Sequence, residues 1–166
     1  ERALQWAKDK GKRNTIKKPA VIGAVLQLNY CCDFLDSEYI NTLKYYYSVM
    51  ETLYRNAGQP MPANKDLPSD NHKDKILREL DCSVIEFMHS EILRQAKEEI
   101  QSTGYTAIKI FDSARGVFTE GGQAFEGSGL FAKSHIQVCV RNLNCIKGFF
   151  LPRKEIDFFK YLNIVD

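Results

Sequence analysis

The sequence predicts an α+β fold. Two observations carry that expectation. Helical spacing of apolar residues dominates from Ser37 to Gln101, and short β-branched and aromatic runs cluster after Gly104. Helices first and strands later favour an α+β arrangement over a regular βαβ alternation.

The elements follow in chain order. Glu1 to about Lys10 has helical spacing, with Ala3, Leu4 and Ala7 around Trp6, and Gly11 with the basic run Lys12–Lys18 ends it. After Pro19, the apolar run Ala20–Leu28 reads as a buried strand, and Gly23 inside it marks a close backbone approach or a bulge. Asp33 and Asp36-Ser37 supply turn and N-cap chemistry. Ile40, Leu43, Tyr47, Met50 and Tyr54 then define a helix over Ser37–Asn56 that Gly58 stops. Residues Gln59–Asp70 carry three prolines and no period, so they read as a long surface loop, expected to be mobile. Asp74–Gln101 reads as one long helix that could break near Ser90. Ile76, Leu77, Leu80, Val84, Phe87 and Met88 form one face, and Ile92, Leu93, Ala96 and Ile100 the next. Tyr105–Phe111 reads as a strand, and Gly116–Thr119 as a second short one. Glu120–Lys133, with four glycines, is a loop. His135–Val140 is a strand, Asn142–Asn144 a turn, and CIKGFF a last short strand. Arg153–Tyr161 is a closing helix or helical turn. At 166 residues this is the length of a single domain, residues 1–166.

Composition narrows the function classes. A net charge of +2 gives no strong field toward nucleic acid or an anionic membrane. The five cysteines show no CxxC or Cys/His ligand spacing, so no metal site is expected. Cys82 and Cys139 sit in apolar runs, where a reduced thiol behaves as a small hydrophobe. Reduced thiols and the lack of a signal peptide or membrane-length apolar run point to a cytoplasmic setting, with no membrane partner. The opening at Glu1 falls inside a helix without a cap, which leads us to expect residues upstream.

No phosphate-binding P-loop, dinucleotide GxGxxG, HExxH or GxSxG occurs. One constellation remains. FDSARGVFTEGG places Asp112, Ser113, Arg115 and Glu120 beside a glycine-rich loop, and His135 and Gln137 open the next strand. Alternation puts His135 and Gln137 on one strand face. If the two strands pair, Asp112, Arg115, Glu120, His135 and Gln137 are expected to line one cleft. The plain alternative is a satisfied turn, with Asp112 and Ser113 capping amides and Arg115 paired to a surface carboxylate. On pattern alone that alternative is preferred. Tyr45–Tyr47 and Tyr54 suit helix packing better than base stacking. Lys12, Arg13, Lys17 and Lys18 read as a solvated loop, and Glu91, Arg94, Lys97 and Glu98 as a solvated helix face. His72 and His89 fall on helical faces without ligand partners at useful spacing.

The segments ERALQWA, KPAVIGAVLQL, LRELDCSVI, FDSARGVFTEGG and KSHIQVCVRNLNCIKGFFLPR resemble a family of bacterial ADP-ribosyltransferase-like toxin domains. The resemblance covers nearly the whole chain. It implies the back two-thirds of a split, mixed or antiparallel sheet with flanking helices. The family's Tyr-His-Gly-Thr-like and Gly-Ile-Tyr-Phe-Trp-Glu-like motifs, which build the nicotinamide end of the NAD pocket, would precede Glu1. The resemblance therefore implies that these 166 residues alone do not turn over NAD. It further implies NAD as the substrate that donates ADP-ribose and a protein or nucleic acid as acceptor, in a toxin or phage-defence setting. An antitoxin, or the upstream segment as a separate chain, would be a partner.

His135-Ile136-Gln137 stands where the family carries Gln/Glu-x-Glu, so Gln137 replaces the expected glutamate. An amide can hold a ribose hydroxyl but brings no charge, which leaves Glu120 or Asp112 to supply the carboxylate. In this reading Gln137 and His135 sit on the ribose, and Glu120 is the candidate catalytic carboxylate. Arg115 lies on a phosphate or the acceptor, with Asp112 and Ser113 beside it on the cofactor side. The glycine-rich stretch matches the loop that selects the acceptor. The rival reading is a catalytically degenerate module of the same fold that binds a protein or nucleic acid.

Overall fold

The computed structural model describes residues 2–13, 17–68 and 71–151. It is a mixed α+β structure in two compact units, Glu1–Gln27 with Ile146–Asp166, and Leu28–Cys145. In the first unit, helix α1 (Arg2–Arg13) precedes strand β1 (Gly23–Leu26), which pairs antiparallel with β5 (Ile146–Phe150). The strand is shorter than the apolar run Ala20–Leu28 because its partner is only five residues long, and the ladder ends where the partner does. The register slips between Val25 and Leu26. Gly23 is the close approach its position suggests: a Cβ there would lie 2.2 Å from the Phe150 ring.

The second unit holds strand β2 (Cys31–Asp33), helices α2 (Ser37–Asn56) and α3 (Glu79–Thr103), and strands β3 (Ser113–Phe118) and β4 (His135–Val140). A short 3-10 turn, Leu143–Cys145, follows. The strands form one sheet in the order β2-β3-β4, with β2 parallel and β4 antiparallel to the central β3. No helix among the described residues is long and apolar enough to cross a membrane.

Helix α2 matches its sequence bounds because both ends are specified locally. Asp36 accepts a hydrogen bond from the Glu38 N–H at 2.9 Å, and Gly58 takes the left-handed conformation just past the end. Its buried side chains are Tyr46 and Met50, and Tyr39 and Leu43 pack against the cluster that holds Tyr46, so Tyr46 takes the inward place assigned to Tyr47. Helix α3 starts at Glu79, later than Asp74, and runs unbroken through Ser90 to the left-handed Gly104. Arg78, at its N-cap, makes no side-chain cap bond. Asn64 supplies the cap from the proline-rich loop: its Oδ1 accepts from the Leu80 and Asp81 N–H groups at 3.0 and 3.3 Å.

That loop was expected to be loose. It is largely exposed, yet Lys65 exchanges two backbone hydrogen bonds with Leu77, and Asp66 accepts from the Lys75 N–H. Ile76 and Leu77, assigned to the apolar helix face, lie outside the helix and are exposed.

The expected strand Tyr105–Phe111 does not form. This segment has no partner strand among the described residues, and the Thr106 side chain competes for its backbone. The hydroxyl bonds the Glu99 carboxylate and accepts from the Ile108 N–H, which takes that amide out of a ladder. Phe111 still reaches the core, edge-on to Tyr39 and His89. The strand begins instead at Ser113. Cys32, Tyr46, Met88, Ile92, Phe111 and Ala114 form the buried cluster between the sheet and the two helices. Cys31, Cys32 and Cys145 are buried free thiols, whereas Cys82 and Cys139 are exposed. The run around Cys82 packs through Val84, whereas β4 around Cys139 has no buried residue, so the apolar composition there does not bury the thiol. The expected helix Arg153–Tyr161 lies outside the described residues.

Candidate functional site

Strands β3 and β4 pair, and their register assigns every side chain to a face. Ala114, Gly116 and Phe118 stand opposite Cys139, Gln137 and His135. Ser113, Arg115 and Val117 stand opposite Val140, Val138 and Ile136. Side chains alternate along a strand, so the first set shares one face and the second set the other. His135 and Gln137 do share a face. Ser113 and Arg115 project from the opposite one, so the single cleft expected from the sequence does not form.

Position along the strand separates these groups further. Asp112 and Ser113 lie at the start of β3, about 17–20 Å from Phe118 at its end by strand rise alone. Ser113 is fully buried and its hydroxyl donates to Asp112 Oδ1 at 2.8 Å. The Asp112 carbonyl accepts from the Arg141 and Asn142 N–H groups, at 2.8 and 2.9 Å. Arg115 grips Asp33 through two nitrogens, Nε to Oδ1 at 3.0 Å and Nη2 to Oδ2. The Arg115 hydrogen bonds hold the Asp33 carboxyl below the usual carboxylate range. This pair fastens β2 to β3, which is the arginine–carboxylate part of the satisfied-turn alternative; the Ser113 hydroxyl bonds Asp112 instead of a backbone amide. Asp112 and Ser113 are thus engaged by the fold at the far end from His135, and Arg115, midway along β3, is engaged by Asp33 on the opposite face.

The other end of β3 is different. Phe118 stacks on His135 with ring centroids 5.8 Å apart and 25° between planes. The His135 Nδ1 lies 2.7 Å from the Lys133 carbonyl, which can only accept, so that nitrogen carries the proton. Its Nε2 is then an acceptor, and the Gln137 amide nitrogen donates to it at 2.6 Å. Glu120 joins this end through the base of the glycine-rich loop, where the Lys133 N–H donates to the Glu120 carbonyl at 2.8 Å. The Glu120 carboxylate pairs with Arg78 at 3.2 Å, and the same guanidinium lies 4.4 Å from the Phe118 ring centroid. Glu120, His135 and Gln137 are therefore brought to one end of the sheet, linked by Arg78 and Phe118.

Sequence reasoning missed Arg78 and Phe118. Arg78 was visible only as a cation just before the acidic first turn of α3, a position that complements no helix dipole. Its pairing with Glu120 spans 42 residues, which no local spacing signals. His72 is also misread from sequence: it lies in a turn, with its ring against Gly122.

The chemistry available at this end is a carboxylate, a carboxamide, an imidazole, a guanidinium and an aromatic face. Such a set can accept and donate hydrogen bonds to sugar hydroxyls and can stabilise positive charge on a bound ligand. Among the described residues no cluster of His, Cys, Asp and Glu has the makings of a metal site. No family model, no curated protein and no solved structure matches this chain.

Proposed function

We propose that the Phe118 end of the β3–β4 pair is the ribose-holding side of an NAD-dependent ADP-ribosyltransferase of ADP-ribosyltransferase-like fold. The observation that carries this reading is the gathering of Glu120 and the His135–Gln137 pair at one end of the sheet, bridged by Arg78 and Phe118, beside a glycine-rich loop. In the reaction, the bond between nicotinamide and C1′ of the ribose breaks, and nicotinamide leaves with the bonding electrons. Positive charge builds on the sugar and is stabilised by the Glu120 carboxylate. The Gln137 carboxamide holds a ribose hydroxyl. A nucleophile on a protein or nucleic acid acceptor then bonds to C1′ and gives up its proton. Arg115, held by Asp33, drops out of the phosphate role in this reading. Residues outside these 166 complete the nicotinamide end of the pocket in this reading, and a toxin or phage-defence role follows from the resemblance.

The second reading is a degenerate binding module. It is favoured by one observation: Gln137 is uncharged and the Glu120 charge is already paired with Arg78.

Two measurements separate them. Titration with NAD is expected to shift the Gln137 side-chain amide and His135 ring resonances of the chain. In a protein that includes the upstream residues, Glu120→Gln is expected to lower ADP-ribose transfer from labelled NAD by about 10²–10³. Gln137→Ala is expected to lower it in the same direction. Undiminished transfer in both variants removes these residues from the mechanism, and silence of both resonances at millimolar NAD favours the binding module.

A further inference from the structure

Three consecutive residues at the entrance of the glycine-rich loop are met, in reverse order, by one short segment. Arg78 pairs with the Glu120 carboxylate at 3.2 Å. Asp74 Oδ2 accepts from the Gly121 N–H at 2.7 Å. The His72 ring covers Gly122 so closely that a Cβ there would lie 2.5 Å from Nδ1. Such a side-by-side match is a feature of the tertiary fold, since the two segments are separated by the whole of α3.

The segment is fixed from behind. Lys65 and Leu77 exchange backbone hydrogen bonds of 2.8 and 3.1 Å, the Lys65 ammonium pairs with Glu79 at 2.9 Å, and Asp66 holds the Lys75 N–H. Lys73 and Lys75, on either side of Asp74, adopt φ of 55° and 49°. The left-handed region is unfavourable for a side chain with a Cβ and persists only where surrounding contacts impose it. Here the contacts that impose it aim Asp74 at Gly121. Gly121 and Gly122 also have positive φ, 84° and 71°, so both sides of the junction are built from left-handed backbone.

We propose that residues 72–78 are a clasp that holds the entrance of the glycine-rich loop closed, with Asp74 and Arg78 as positioning residues for the Glu120 carboxylate. Asp74 fixes the backbone of the loop one residue beyond Glu120, and Arg78 fixes the carboxylate itself. The clasp stores local strain in Lys73 and Lys75, so release is assisted once the Asp74 and Arg78 contacts break. The clasp stands on these contacts alone; its consequence for catalysis rests on the transferase reading.

Residue-resolved amide hydrogen exchange on the full chain tests the clasp without NAD. Asp74→Ala is expected to speed exchange at Gly121 by about tenfold or more, while Met88 and Ile92 in α3 keep their protection. Arg78→Ala is expected to act in the same direction, and Arg78→Lys, which keeps a cation for Glu120, to restore most of the protection. Unchanged exchange at Gly121 in both alanine variants overturns the clasp. If Asp74→Ala loosens α3 as well, Arg78→Ala decides: Gly121 exposed with α3 intact supports the clasp, and Gly121 protected overturns it. In a transferring protein, Arg78→Ala is expected to lower kcat with KM for NAD within about twofold, as fits a positioning residue. A rise in KM alone overturns that role. Loss of NAD binding in the wild type, with the exchange pattern as expected, overturns the transferase reading and leaves the clasp.

Discussion

Two arginine–carboxylate pairs of similar burial, one midway along β3 and one at its Phe118 end, do different things. Side-chain exposures are 34% and 23% for Arg115 and Asp33, against 24% and 23% for Arg78 and Glu120. Burial therefore does not distinguish them. Geometry does. Arg115 binds Asp33 with two nitrogens in neighbouring parallel strands, beside a fully buried serine whose hydroxyl is satisfied. Arg78 binds Glu120 with one, spreads over an aromatic ring, and reaches from a strained loop to a glycine-rich one. A two-pronged pair between adjacent strands leaves little capacity for a ligand. A one-pronged pair over a ring leaves several donors and an aromatic face to spare.

Substitutions can break this comparison. The largest effect on stability is expected behind the sheet: Met88→Ala opens a void in the fully buried cluster and should cost about 2–5 kcal/mol in denaturant unfolding. Arg115→Ala is expected to lower the denaturation midpoint while leaving NAD-induced shifts at Gln137 in place. Loss of those shifts without loss of stability would return Arg115 to the binding end and erase the contrast. Asn64→Ala removes the borrowed cap of α3 and should cost about 1 kcal/mol by the same measurement, with enhanced exchange at Leu80 and Asp81.

Acid sharpens the same picture. His89 is buried in α3, its Nε2 without a hydrogen-bond partner among the described residues and its ring edge-on to Phe111. Burial, aided by nearby Arg141 and opposed by Glu86, pulls its pKa from 6.5 to about 4. The unfolded chain therefore binds the proton first. Stability is full above pH 6.5 and falls as the pH drops toward 4, because unfolding takes up a proton across that window. The Arg141 hydrogen bonds lower the Glu86 pKa, so that pair's contribution is lost at the acid end, as the pH falls through the depressed value. His89→Phe is expected to flatten the slope of the urea midpoint between pH 6.5 and 4. An unaltered slope would show that another group takes up the proton.

How much was legible in the sequence depends on the range of the interactions. Helix α2 was read to its ends because Asp36 and Gly58 lie in the sequence beside it, and β4 because its alternation is uninterrupted. Tyr105–Phe111 was misread because β-branched and aromatic composition says nothing about whether a partner strand is adjacent, and the Thr106 hydroxyl takes up the Ile108 N–H. At the site, alternation correctly paired His135 with Gln137. It also held the information that Arg115 and Gly116 face opposite ways, but only the register with β4 says which face His135 joins. Arg78, Asp74 and His72 were out of reach, since nothing near them in sequence names Glu120, Gly121 and Gly122 as neighbours.

The order in which the chain is made gives the sheet topology one more meaning. Cys31 pairs with Ser113, and Gly23 with Phe150. During synthesis β2 emerges early but must wait for both long helices and then β3 before any strand is available to it. β1 waits longer still, for the last strand of the described chain. Domains assemble from the N-terminus as they are made, but pairings this distant form late and leave early strands with open edges meanwhile. The α2–α3 hairpin, whose helices are capped from within residues 36–104, is the part of this protein that can take shape while the ribosome is still working.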